Sequence, residues 1–97
     1  MMVTTIRETH DEQLRDPAVA AAYLNQALEE ADAAVILMAL RHLAEAQEGG
    51  IAGLAQRSAL GRESLYKTLS ATGNPKLASL TKIIEGLGLK LKVEVGP

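Results

Sequence analysis

Residues 51–70 read IAGLAQRSALGRESLYKTLS. Two short stretches with helical spacing, 51–58 and 62–70, are separated by Ala59-Leu60-Gly61 alone. Two helices joined so tightly need a small residue where they cross, apolar residues to seal the inner angle, and a polar outer face on the second helix. Ala55 stands at the crossing, and Leu54, Leu60, Leu65 and Leu69 fall where the angle closes. The second stretch leaves Arg62, Glu63, Ser64 and Lys67 outward, with Tyr66 near the edge and Gly61 at the capping position. The pattern is that of a helix-turn-helix unit spanning 51–70. Three details are unusual for it: Ala59 where glycine is commonest, a glycine cap weaker than Ser or Thr, and Thr68 where a larger apolar residue is frequent.

Further helices are expected on either side. Asp16-Pro17 is a helix start, because Asp accepts from first-turn amides and Pro at the first position loses no hydrogen bond. Val19, Ala20, Tyr23, Leu24, Ala27 and Leu28 then recur at helical spacing. Asp32 caps a second helix to about Gln47, apolar nearly all round through Val35, Ile36, Leu37, Met38, Leu40 and Leu43, and stopped by Gly49-Gly50. After the turn-rich Ala71–Pro75 break, Leu77, Leu80, Ile83, Ile84 and Leu87 mark a last helix ended by Gly86 and Gly88. Leu89 to Val95 alternates apolar and charged residues, the period of a half-buried strand. That strand is expected to pair with Val3–Ile6 or with its own copy across a two-fold axis. The expected fold class is mainly all-α, with five helices and a short C-terminal β-strand at 89–95. Residues 1–15 are expected to form an N-terminal arm and 16–97 a single domain.

Composition agrees. The chain has 97 residues, 16 of them Ala and 15 Leu, with two Tyr and no Phe, Trp or Cys. Such an apolar set suits close-packed helices better than a sandwich of strands. The absence of Cys removes disulfides, a thiol nucleophile and thiolate metal sites. No apolar run approaches the roughly 20 residues of a membrane span, and no basic-then-apolar leader is seen, so a cytoplasmic location with no membrane contact is expected. The net charge of −2 conceals an asymmetry: residues 1–48 carry −6 and residues 49–97 carry +4. Four of the seven basic residues in the second half (Arg57, Arg62, Lys67 and Lys76) lie in or beside the helix-turn-helix unit. A basic half points to nucleic acid on that side, although a solvated helix face accounts for the same charges.

An enzyme is not expected. The two histidines are His10, in the arm, and His42, on a helix and expected to be solvent-exposed; His42 with Glu45 makes only two potential zinc ligands. Gly86-Leu87-Gly88 is a helix stop rather than a phosphate loop. No catalytic residue, cofactor or metal site is assigned.

Residues 16–95 resemble the HigA-like family of addiction-module antidotes, antitoxins with an Xre-type, phage-repressor-like helix-turn-helix. The resemblance is carried by DPAVAAAYLNQALEE at 16–30 and by 49–93, most specifically by RESLYKTLS followed by GNP and LASL. The family more often has Gly-Leu-Ser where this chain has Ala59-Leu60-Gly61, and the first 15 residues also depart from its pattern. The resemblance implies a homodimer that binds operator DNA, neutralises a small RelE/ParE-like toxin and represses its own operon. On this reading Arg62 is the best candidate for a bidentate contact with guanine. Glu63 accepts from cytosine or simply favours the helix N-terminus. Ser64, Tyr66 and Lys67 lie on the same surface, while Arg57, Thr72, Asn74 and Lys76 flank it as backbone contacts. Glu29, Glu30 and Asp32, within an acidic surface that includes Glu45 and Glu48, suit a basic toxin. A stand-alone regulator and a toxin-binding module that does not touch DNA remain as alternatives.

Overall fold

Two aspartates set the first long helices. In the computed structural model, which describes residues 10–70 and 72–97, Asp16 Oδ1 accepts from Ala18 N at 2.9 Å and Asp32 Oδ1 accepts from Ala34 N at 2.9 Å. Six helices occur among the described residues: α1 over 10–15, α2 Pro17–Glu29, α3 Ala33–Ala46, α4 Gly50–Ser58, α5 Arg62–Thr68 and α6 Leu77–Gly86. Pro17 opens α2 as expected. Between α2 and α3 the chain reverses through Ala31, at φ 54°.

The packing is sequential and then branches. Helix α2 lies on α3, α3 on α4, and α4 on both α5 and α6. Leu40, Leu43, Leu54, Leu65, Leu69 and Ile83 are the largest fully buried side chains. Each such aliphatic side chain contributes about 2 kcal/mol relative to an exposed one. The absence of large aromatics in this core lets small residues set the helix separations. Gly86 is the clearest case: a Cβ there would lie 2.9 Å from Leu54 Cδ1 and 3.1 Å from Ser58 Oγ. Ser58, the buried polar residue of the core, turns its hydroxyl back to donate to the Leu54 carbonyl.

Three expectations are corrected. Residues 10–15, assigned to an arm, form helix α1, because Leu14 enters the core at 4% exposure and Arg15 Nε donates to the Ala46 carbonyl at the end of α3. The Val3–Ile6 piece lies outside the described residues. The terminal strand is not formed: 89–95 has no ladder partner among the described residues, and alternation without a partner cannot make a strand. His42 is half-buried rather than exposed, with Nδ1 hydrogen-bonded to the Tyr23 hydroxyl at 2.7 Å. The apolar faces are also less completely covered than periodicity implies, since Val19, Leu28, Met38 and Leu77 are exposed.

The joint between α4 and α5 turns on Ala59, whose φ is 56°. Leu60 N donates to Ala55 O at 3.2 Å across it, satisfying a carbonyl at the end of α4. A left-handed conformation costs an L-residue about 1–2 kcal/mol, which a glycine avoids while giving back part of the gain through the freedom it adds to the unfolded chain. Ala59→Gly is therefore expected to stabilise the fold by roughly 0.5–1 kcal/mol, a rise of about 3–6 °C in the thermal midpoint, measurable by circular dichroism. An unchanged or lower midpoint would remove Ala59 as a site of strain.

Candidate nucleic-acid interface

The outer surface of α5 is built by what lies beneath it. Leu65 and Leu69 are each 1% exposed and hold the helix against α4, where Ala55 and Leu54 are also buried. Leu60 is partly buried against the same cluster. With those residues inward, a helical period turns Arg62, Glu63, Ser64, Tyr66 and Lys67 outward, and all five are exposed. Gly61 caps the helix without a side-chain hydrogen bond. Its missing side chain leaves open space, since a Cβ there would meet only Ser64 Cβ, at 3.7 Å.

Within this surface Arg62 and Tyr66 are one helical turn apart and in contact. The guanidinium carbon of Arg62 lies 5.9 Å from the centre of the Tyr66 ring, within cation–π range. The stack limits where an otherwise free arginine head can go.

The flanking candidates divide. After α5 the backbone folds back on the helix: Ser70 Oγ donates to Lys67 O at 2.8 Å and Gly73 N donates to Ser70 O at 2.9 Å. A side chain at Gly73 would collide with the Thr68 carbonyl, so only glycine permits this approach. It keeps the exposed Thr72 and Asn74 beside the end of α5. Lys76, also exposed, is the capping residue of α6, and its carbonyl accepts from Leu80 N at 2.9 Å. Arg57 is different. It runs back along α4, with Nη1 donating to Glu48 O at 3.3 Å, toward the α3–α4 turn and away from the opening of α5.

The acidic candidates sit together at another joint. Glu29 ends α2, Glu30 follows as its cap, and Asp32 caps α3; all three are exposed. Asp32 is already engaged with Ala34 N, so its carboxylate has a structural task. Helices α2 and α5 do not touch among the described residues, which separates this acidic joint from the cationic face.

One feature was not assigned from sequence. A groove of about 550 Å³ runs between α2 and the tail, lined among others by Leu28, Ile84, Leu89, Leu91, Lys92 and Glu94. The alternation of 89–95 in the sequence thus marks one wall of a groove rather than a half-buried strand.

An uncharacterized protein of Haemophilus influenzae (strain Rd) is 39% identical over 72 residues, covering 74% of this chain and 72% of that protein. No solved structure matches the chain at a significant level. A family described as "Probable addiction module antidote protein" matches residues 5–95. On that match the chain belongs to the probable addiction module antidote proteins, a family of antitoxins from toxin–antitoxin systems.

Proposed function

We propose that this antitoxin is a HigA-like, DNA-binding repressor of its own operon that acts in the cytoplasm as a homodimer and neutralises a RelE/ParE-like toxin. The observation that carries the DNA reading is the α5 face: Arg62, Ser64 and Lys67 stand exposed on a helix whose opposite side, Leu65 and Leu69, is fully buried. In an Xre-type helix-turn-helix that helix enters the major groove, and a dimer presents two of them about one helical turn of DNA, roughly 34 Å, apart.

The roles differ by chemistry. Arg62 presents a planar fork that matches guanine O6 and N7, and the Tyr66 ring holds that fork over the helix. Ser64 and Lys67 offer a hydroxyl and a point charge to bases or phosphates. Thr72, Asn74 and Lys76, carried beside the end of α5, are backbone contacts that position without specifying. Arg57 joins them only by leaving the Glu48 carbonyl. Glu63 accepts from cytosine or balances the helix N-terminus. The toxin is expected at Glu29, Glu30 and Asp32, at a joint whose helix α2 makes no contact with α5.

Binding to the upstream promoter fragment, followed by fluorescence anisotropy at stepped salt, tests the DNA reading. Affinity is expected to fall steeply with salt because phosphate contacts release counterions. Lys76→Ala should weaken binding to all sequences and flatten the salt slope by about one, whereas Arg62→Ala should cost about 1–3 kcal/mol and relax preference at one base position. Salt-independent binding, or an Arg62→Ala protein with unchanged affinity and preference, would defeat the assignment.

The ring of Tyr66 can be tested apart from its hydroxyl. Tyr66→Phe should keep operator affinity within about twofold, because the stacking face remains. Tyr66→Ala should lower it by about two- to fivefold, matching the ~0.5–1 kcal/mol of an exposed cation–π contact. Equal losses in the two variants would assign the contribution to the hydroxyl instead.

For the acidic joint, Glu29→Lys combined with Glu30→Lys should weaken toxin capture in a co-purification with the adjacent gene product while leaving operator binding in place. Full neutralisation by that double variant would reject the surface.

A further inference from the structure

We propose that the tail, residues 89–95, is the self-association element of this protein: the tails of two copies pair as antiparallel strands about a two-fold axis through Val93. This rests on the homodimer reading above and assigns its interface.

The tail leaves α6 in a fixed direction. Gly88 adopts φ 79°, Gly88 N donates to Glu85 O at 2.9 Å and Leu89 N donates to Ile84 O at 3.0 Å. Together these bonds form a closed helix-ending motif. Beyond Leu89 no main-chain hydrogen bond is made among the described residues. The apolar side chains there are bare: Leu91 is 44%, Val93 93% and Val95 101% exposed. An open backbone edge with an apolar face invites a second strand.

The sequence of the tail selects the partner and the register. Opposed residues of an antiparallel pair project to the same face. With Val93 opposite its own copy, Lys92 faces Glu94 twice and Leu91 faces Val95 twice. One face of the ribbon is then wholly apolar and the other carries complementary charge. A slip by one residue sets valine against lysine and mixes the faces. A slip by two residues sets Lys92 on Lys92 or Glu94 on Glu94. Only the Val93 register pairs all of residues 91–95 and satisfies both charges without conflict.

A two-stranded ribbon alone is marginal in water, and a stable dimer buries more than two tails. Beside the body only Leu91 of the apolar face, together with Leu89, reaches the groove next to the exposed Leu28 of α2; Val93 and Val95 stand clear of it and are open to a second copy.

The chain contains no cysteine, which makes single-cysteine variants of the full chain clean probes. Opposed residues lie about 4.5–5.5 Å apart between Cα atoms, within the span of a disulfide. Under mild oxidation Val93→Cys is expected to form a disulfide dimer at least tenfold faster than the equally accessible Lys92→Cys or Glu94→Cys. A mixture of Leu91→Cys with Val95→Cys should cross-link faster than either alone. Val93→Asp should raise the dissociation constant of the dimer at least tenfold by sedimentation equilibrium, with unchanged helical circular dichroism. Equal cross-linking rates at 92, 93 and 94, in a wild-type protein that sediments as a dimer, would overturn the tail as interface while leaving the dimer intact. A wild-type monomer at tens of micromolar would overturn both. An intramolecular disulfide in Thr4→Cys combined with Val93→Cys would overturn the proposal by giving the tail a partner in its own chain.

Discussion

Everything on the outer surface depends on how closely α4 can be approached. This nine-residue helix is the shared wall of the fold, with α3, α5 and α6 all packed against it. The approaches succeed because each crossing is made by something small or self-satisfied. Ala55 is a buried small residue of α4, against which α5 packs. Gly86 lets α6 press on Leu54 and Ser58. The Ser58 hydroxyl returns its hydrogen bond to the Leu54 carbonyl, so no polar group is left open in the contact. Interiors are packed like crystals, and displacement at one wall is passed to the next. The orientation of α5, and with it the bearing of Arg62, is therefore set by the fit of Leu65 and Leu69 against α4 rather than by the charged residues outside.

Much of this was legible in the sequence, for reasons that are local. Asp16 and Asp32 are capping residues that accept from amides in the next turn, Gly61 caps without a side chain, and each sits where it was expected. Alanine at position 59, where glycine is commonest, adopts φ 56°, the conformation a glycine takes without strain. Leu65 and Leu69 recur at one turn and therefore share the buried face. What escaped was decided by distant partners. Helix α1 is held by one leucine and by an arginine reaching a carbonyl 31 residues away, neither of which leaves a periodic trace. His42 meets Tyr23 across the α2–α3 contact, 19 residues apart in sequence. The tail shows the converse failure, since alternation describes an amphipathic ribbon but not whether a neighbour exists to complete it.

The candidate site divides along the same line. Residues on α5 were readable because helical period alone turns them outward. The direction of Arg57 was not, because the attraction of the Glu48 carbonyl lies at the other end of its helix. Thr72 and Asn74 were expected to flank α5, but what keeps them there, a glycine at 73 that lets two stretches of backbone meet, leaves no trace of its own in the pattern. A short side chain that is missing thus shapes the surface as firmly as the charged ones that are present.

The separation of acid from base along the chain bears on how a polyanion perceives this protein. In physiological salt an exposed charge is felt over about 8 Å, whereas the molecule extends 44 Å along its longest axis. A phosphate approaching α5 therefore meets Arg62, Lys67 and Glu63 first, since they share that exposed face, while α2, which carries part of the acidic joint, makes no contact with α5. The negative overall charge, which would read as indifference to nucleic acid if spread evenly, becomes a local matter. Thinner salt should lengthen that reach until the acidic joint is felt as well, so the attraction should gain less on dilution than the cations alone would give.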